Sequence, residues 1–191
     1  MLVVDDGLSP PARAVLADCA AGAEVDVAST NGNRGKGHAL ATGLRVLLAR
    51  PAAPEAVLTV DADGQHPPSS IPALLAAAGR ADLVLGNRFR HLARMPLERR
   101  VANRLASGIL RLATGVPVQD SQCGMRLLRG RALHEIPFEG GGYEAEARHL
   151  KRCLVAGVPV TWVEIPAIYE GAPSSFRTVR DTIRVALALL R

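Results

Sequence analysis

Val57-Leu58-Thr59-Val60-Asp61-Ala62-Asp63-Gly64-Gln65-His66 is the stretch that decides the fold class. Four apolar or β-branched residues make a buried strand, which stops at two carboxylates two residues apart. In an open α/β sheet, ligands bind outside the carboxyl edge of the strands. If strand geometry persists through the pair, Asp61 and Asp63 point to the same side. Carboxylates so placed raise one another's pKa unless a cation sits between them. A hard divalent ion shared with a diphosphate is the natural occupant. The same residues also suit a plain turn, with Asp and Gly serving the backbone, and both readings stand at this point.

Outward from this stretch, short apolar runs alternate with amphipathic segments, the pattern of an α/β domain. Leu2–Val4 reads as a strand ending in Asp5-Asp6-Gly7. Ser9-Pro10-Pro11 opens a helix to about Ala20, with proline in the first turn. A strand at Glu24–Ala28 leads to the glycine-rich turn Asn31–Gly37 and a helix through Leu48. After the strand Ala56–Val60 come a helix near Ser70–Ala78 and a strand at Asp82–Leu85. Leu97–Thr114 reads as a long helix with Val101, Leu105, Ile109 and Leu112 on one face. Gly124–Leu128 and Val160–Ile165 read as strands, Tyr143–Ala156 and Thr178–Leu190 as helices. With no repeat or linker, one domain over residues 1–191 is expected.

Composition excludes several classes. At 48% hydrophobic and mean hydropathy +0.14 the chain is too apolar to be disordered. No apolar run approaches the ~18–20 residues of a membrane span, and Met1–Asp6 does not resemble a signal peptide. A cytoplasmic protein is expected. Cys19, Cys123 and Cys153 form no CxxC pair, so reduced thiols are expected rather than a disulfide or zinc site.

Charge is unevenly spread. Residues 1–87 hold 6 Lys/Arg against 9 Asp/Glu, a net of −3, and residues 88–191 hold 17 against 9, a net of +8. Seven arginines and one acid, Glu98, lie between Arg88 and Arg111. Such a block suits a polyanion, whether phosphates of a substrate or an anionic membrane surface, or it is a solvated helix face. Nucleic acid is not expected as a partner, because with 3% aromatic residues the chain has few stacking platforms.

Two other enzyme motifs fail. A haloacid-dehalogenase-type phosphatase would have Thr or Val after the Asp pair, where Gly64-Gln65 stand. A Walker loop would need a further glycine and a hydroxyl residue around Lys36. Taken together, Val3-Val4-Asp5-Asp6-Gly7, Asn33-Arg34-Gly35-Lys36-Gly37, Asp61–His66, Leu85-Gly86-Asn87-Arg88-Phe89 and Asp120-Ser121-Gln122-Cys123-Gly124-Met125-Arg126 resemble glycosyltransferase family 2 in order and spacing. The likeness is to its dolichyl-phosphate mannosyltransferase and polyprenyl-phosphate glycosyltransferase branch. The tail Ile165–Glu170 and Ser174-Ser175-Phe176-Arg177 is similar to that branch too.

The resemblance implies a GT-A fold, a mostly parallel Rossmann-like sheet flanked by helices. It implies inverting transfer from a nucleotide-sugar donor to a polyprenyl phosphate, with Mg2+ or Mn2+ as cofactor, at a peripheral membrane surface on the cytoplasmic side. On this basis Asp5 and Asp6 meet the nucleoside, and Lys36, Asp61, Ala62, Asp63, Gln65 and Arg88 complete the donor site. Asp63 and Gln65, with Asp61, hold the metal, and Arg88 contacts the diphosphate. Arg100, Arg126, Ser175 and Arg177 fall at acceptor-phosphate positions, and Glu144 matches a further family position. A phosphate acceptor is already anionic and needs no base; a hydroxyl or saccharide acceptor would need one, with Asp120 the candidate. His66 reads as a turn residue rather than a base.

Family members carry one more βα unit, roughly 30 residues, ahead of the strand at Leu2–Val4. Its strand would lie between Leu2–Val4 and Ala56–Val60. The expectation is therefore a domain truncated at its N-terminus, either a fragment or misassigned start of a longer chain or a domain whose sheet re-pairs, with an inactive nucleotide- or membrane-binding domain as the non-enzymatic alternative.

Overall fold

The computed structural model describes residues 1–89, 95–168 and 184–189. The chain divides into two compact units, Met1–Pro54 with Phe138–Ala145, and Glu55–Pro137 with Glu146–Arg191. Each has its own sheet.

The first unit is built on β1 (Leu2–Asp5), α1 (Pro10–Ala21), β2 (Asp26–Ser29) and α2 (Lys36–Leu48). β1 and β2 pair in parallel, with Leu2 opposite Asp26 and Asp5 opposite Ser29. Parallel neighbours need a crossover, which α1 supplies. Proline occupies its first turn as expected. α2 begins after Gly35, whose φ of +92° favours glycine. At Gly37 the backbone N–H donates to the Gly141 carbonyl at 3.2 Å. A β-carbon there would collide with the Gly140 carbonyl and the Ala145 methyl group. The glycine-rich turn thus serves a close backbone approach.

The second unit contains β3 (Ala56–Thr59), α3 (Ile71–Ala77), β4 (Leu83–Asn87), α4 (Leu97–Thr114), β5 (Arg126–Arg129) and α5 (Gly130–His134). It also holds most of α6 (Glu144–Val155) and β6 (Val160–Glu164). Short 3-10 turns at Pro68–Ser70 and Ala78–Arg80 flank α3. The strand order is β3-β5-β4-β6. β4 and β6 are parallel, whereas β5 runs antiparallel to β3 and β4. The expected mostly parallel sheet therefore contains a reversed strand, which has a positional consequence. The start of β5, and the loop leading into it, lies beside the carboxyl ends of β3 and β4. Arg126 stands opposite both Thr59 and Leu85.

β4 is buried along its whole length, consistent with the apolar run Leu83-Val84-Leu85 in a strand covered on both faces. Leu74, Val84, Met125, Leu127 and Ile165 pack into one cluster with Cys123. Each such side chain contributes roughly 1.5–3 kcal/mol through burial. Among the described residues, β1 has β2 as its one ladder partner and β3 has β5.

α4 spans the expected residues but buries a different face. Ala102, Asn103, Ala106, Ser107 and Leu110 point inward. Val101, Leu105 and Leu112 are 58%, 52% and 88% exposed. The inner face is small and polar because it lies against the polar segment Asp120–Ser121 rather than against a greasy core. Of the expected C-terminal helix, residues 184–189 are helical and the remainder lies outside the described residues.

His149 on α6 is fully buried, with Nε2 3.1 Å from the Ala132 carbonyl. Burial, and then the neighbouring Arg126 charge, lowers its pKa from 6.5 to about 4. The native imidazole stays neutral in a window where the unfolded chain takes up a proton. Stability therefore falls as pH drops from 6.5 towards 4, by up to about 3 kcal/mol. Urea unfolding across this range should show that slope, and His149→Gln, which keeps a donor for Ala132, should flatten it. An unchanged slope in the variant would refute the assignment.

Candidate active site

The segment Asp120–Gly124 precedes β5 and so sits at the carboxyl edge of β3 and β4. It is buried, with Asp120, Ser121 and Cys123 all at 0% exposure. Asp120 takes Arg88, at the end of β4, in a two-pronged ion pair: Nε to Oδ2 at 2.8 Å and Nη2 to Oδ1 at 3.1 Å. The Arg88 backbone N–H adds a third bond at 3.2 Å. Asn103 Nδ2 of α4 donates to Asp120 Oδ1 at 2.6 Å, and the Ser107 and Ser121 hydroxyls lie 3.1 Å apart. Burial alone would raise the Asp120 pKa, but the Arg88 charge and these hydrogen bonds outweigh it and hold the carboxyl below the usual range.

The same segment contacts the aspartate turn. Cys123 Sγ lies 3.6 Å from His66 Nε2. Burial pushes the Cys123 thiol up to about 12, so it stays protonated. On its other side, His66 Nδ1 is 3.9 Å from Asp63 Oδ1, too long for a direct hydrogen bond. Asp63 Oδ1 accepts the Gln65 backbone N–H at 3.0 Å, closing the turn. Gly64 provides its φ of +72°. The Asp61 carboxylate packs directly over Gly124, where any β-carbon would overlap it. Gln65 is buried and its Oε1 accepts from Arg99 Nη1 of α4 at 3.3 Å. Ala62 is exposed at the tip. Asp61, Asp63, Gln65, Arg88 and Asp120 thus belong to one unit and are tied to one loop and one helix.

Asp5, Asp6 and Lys36 belong to the first unit. Asp5 accepts the Leu8 and Gly7 N–H groups at 2.7 and 3.0 Å and Arg13 Nε at 2.8 Å. These bonds, Leu8 first, lower its pKa. Asp6 accepts from Thr30 Oγ1 at 2.6 Å and from the Arg34 and Gly35 N–H groups at 2.9 and 2.8 Å. Burial works against the charge here too, and the hydrogen bonds prevail, lowering the pKa. The acidic pair shapes the turn that leads into α2. Lys36 Nζ stands 5.6 Å from the centre of the Tyr143 ring, a cation–π distance.

The expected acceptor positions are dispersed. Arg126 is fully buried: Nε, Nη1 and Nη2 donate to the Cys123, Glu146 and Ser121 carbonyls at 2.8, 2.9 and 2.9 Å. Its guanidinium also pairs with the Glu146 carboxylate at 3.2 Å. A phosphate cannot reach a group so enclosed, so the expected phosphate contact is replaced by an internal one: Arg126 fixes two carbonyls of the Asp120–Gly124 loop. Arg100 is half-buried and donates to the Met95 carbonyl at 3.1 Å. Glu144 accepts the Gly142 N–H at 3.2 Å. Ser175 and Arg177 lie outside the described residues.

Sequence reasoning missed Asn103, Ser107, Glu146 and the Cys123–His66 contact. The signal for the first two was present as polar residues at i, i+4 on the alanine-rich face of α4. Among the described residues no three His, Cys, Asp or Glu side chains converge into a self-sufficient metal cage. Asp61 and Asp63 instead offer hard carboxylate oxygens of the kind that bind Mg2+ or Mn2+ when substrate phosphates and water complete the shell. The residues present fit such an ion.

Comparison with known proteins follows the same line. Residues 1–137 match the model of Glycosyl transferase family 2. An undecaprenyl-phosphate mannosyltransferase of Micrococcus luteus is 32% identical over 86% of this chain and 72% of its own length. A polyprenol monophosphomannose synthase of Mycolicibacterium smegmatis is 31% identical, over 86% of this chain and 66% of its own. The crystal structure of glucosyl-3-phosphoglycerate synthase from Mycobacterium tuberculosis, in complex with Mn2+, UDP and phosphoglyceric acid, superimposes with a TM-score of 0.71. That match covers 99% of this chain and 66% of the other at 20% identity, and it shows the GT-A fold. With the Asp-x-Asp turn at the carboxyl edge of its sheet, the chain belongs to glycosyltransferase family 2.

Proposed function

We propose that this chain catalyses metal-dependent, inverting transfer of a sugar from a nucleotide-sugar donor to a polyprenyl phosphate presented at the cytoplasmic face of a membrane. One observation carries the reading: the Asp120–Gly124 loop braces Arg88 and at the same time meets the Asp61 and His66 ends of the Asp-x-Asp turn. A cation of fixed orientation and a carboxylate pair are thereby set into one framework, as departure of a diphosphate requires.

In the reaction an acceptor phosphate oxygen attacks the anomeric carbon from the face opposite the donor diphosphate. The bond from that carbon to the diphosphate oxygen breaks, and its electron pair leaves with the nucleoside diphosphate. Negative charge grows on the leaving oxygens. Arg88, held by Asp120 so that it need not reorganise, is assigned to meet that charge. Asp61 and Asp63 are assigned to hold Mg2+ or Mn2+, which when bound supplies further neutralisation of the diphosphate. Gln65, in contact with Arg99, closes the turn that carries Asp63. In its own unit, the turn shaped by Asp5 and Asp6, with Lys36, is assigned to the donor's nucleoside side. The attacking phosphate is anionic at neutral pH, so no general base is needed. Asp120 acts through Arg88 as a positioning residue.

The decisive assay measures transfer and donor hydrolysis across a panel of nucleotide sugars, with and without Mn2+, offering either polyprenyl phosphate or saccharide acceptors. Asp63→Ala should abolish metal-dependent transfer with an unchanged circular dichroism spectrum; full turnover with Mn2+ would remove the metal role. Arg88→Ala should lower kcat/KM by about 100-fold or more, and a near-silent effect would take it out of the diphosphate site. Gly124→Ala drives a methyl group into the Asp61 carboxylate. It should lower kcat/KM by about tenfold or more through misplacement of that group. Wild-type kinetics in this variant would show that Asp61 has no role in positioning the donor.

A further inference from the structure

Cys123 and His66 meet behind the aspartate turn, and neither has a part in the chemistry assigned so far. The His66 side chain is 2% exposed. Pro67 follows it and disfavours the helical backbone region at His66. Burial and this restriction together hold the ring in place. Cys123 belongs to the core cluster with Leu74, Val84 and Met125, and its Sγ lies 3.6 Å from His66 Nε2. The Met125 carbonyl is farther from that sulfur, at 3.9 Å. The opposite ring nitrogen, Nδ1, is 3.9 Å from Asp63 Oδ1.

These neighbours decide where the ring carries its proton. A neutral imidazole has one N–H, and its other nitrogen accepts. Burial keeps the Cys123 thiol protonated, its pKa pushed up to about 12. The sulfur is therefore a donor, and Nε2 is the acceptor it meets. The imidazole proton is left on Nδ1, the nitrogen that faces the carboxylate. The reverse tautomer would turn a lone pair towards a carboxylate oxygen.

The two oxygens of Asp63 stand in different surroundings. Oδ1 accepts the Gln65 backbone N–H at 3.0 Å and faces the imidazole. Oδ2 has no hydrogen-bond partner among the described residues, and the side chain is 38% exposed. We propose that the Cys123–His66 pair positions Asp63. The thiol fixes the imidazole tautomer, and the Nδ1–H draws Oδ1 against the turn, so that Oδ2 is the oxygen offered to a divalent cation. This rests on the reading of Asp63 as a metal-holding residue. His66 acts through Asp63 as a positioning residue, and partners placed in this way behind a ligand change metal affinity by about 10–100-fold.

The test joins a spectroscopic readout to a binding one. Nitrogen NMR of isotope-labelled histidine should find His66 protonated at Nδ1. Cys123→Ala should mix the two tautomers, whereas Cys123→Ser, which keeps a donor, should not. Mn2+ binding is measured on the full chain without donor or acceptor, from the electron-spin signal of the free ion. His66→Gln, whose amide reaches towards Nε2, should weaken it by about tenfold or more. His66→Asn, whose amide nitrogen replaces Nδ1, should recover most of the affinity. Loss of packing alone would weaken the two amide variants alike, and thermal unfolding follows the fold of each.

A wild-type ring protonated at Nε2 would overturn the proposal without touching the metal reading. Equal losses in the Asn and Gln variants would do the same. Asp63→Ala separates the remaining outcomes. If it abolishes Mn2+ binding while His66→Gln leaves binding intact, the positioning role falls and the metal reading stands. If Asp63→Ala and wild type behave alike towards Mn2+, both fall.

Discussion

An arginine and an aspartate buried together at the carboxyl edge of the second unit's sheet constrain most of what surrounds them. Arg88 is 7% exposed and Asp120 fully enclosed. Charges in such a setting persist only when paired and hydrogen-bonded, and removing one partner of a buried pair costs about 3–5 kcal/mol. The pair therefore fixes three elements at once: the end of β4 through Arg88, the loop before β5 through Asp120, and α4 through Asn103. The surrounding polar residues follow from that need. Asn103 and Ser107 face inward because Asp120 and Ser121 require partners, and Ala102 and Ala106 let the helix approach closely enough to supply them.

Reversal of β5 makes this arrangement possible. A parallel strand in its place would begin at the opposite edge of the sheet, and the loop leading into it would miss Asp61 and Arg88 altogether. Running antiparallel, β5 brings its entry loop to where the aspartate turn and the arginine emerge. Arg126, the first residue of β5, then holds the loop's shape by donating to the carbonyls of Ser121 and Cys123. Its own charge is answered by Glu146 from α6. One buried ion pair positions the Arg88 brace and a second holds the loop on which that brace depends.

Much of this was legible in the sequence. The apolar run ending in Asp61-Ala62-Asp63 located the carboxyl edge, Ser9-Pro10 marked the start of α1, and Leu97–Thr114 gave both ends of α4. The five ordered motifs identified the family. Two kinds of fact were not legible. The inward face of α4 was hidden because hydrophobic periodicity ranks leucine and valine above alanine, serine and asparagine, and the helix buries the smaller set against a polar partner. The condition of Arg126 was hidden because a sequence gives a residue's charge and not the carbonyls that enclose it. Asp5 and Asp6 show the same limit, with their carboxylates engaged by the turns they cap.

Those internal engagements change the meaning of the charge asymmetry between the two parts of the sequence. Counted along the chain, residues 88–191 carry an excess of +8, which suggests a broadly basic surface. In the fold, Arg126 is fully enclosed with Glu146, and Arg88, 7% exposed, is paired with Asp120. On α4 the arginines that face outward, Arg104 and Arg111, border an apolar ridge. Field strength at a surface depends on such local placement more than on net charge. Within the basic half, Arg88 and Arg126 are oriented by buried acids, whereas Arg104 and Arg111 stand in solvent beside the exposed leucines and valine of α4.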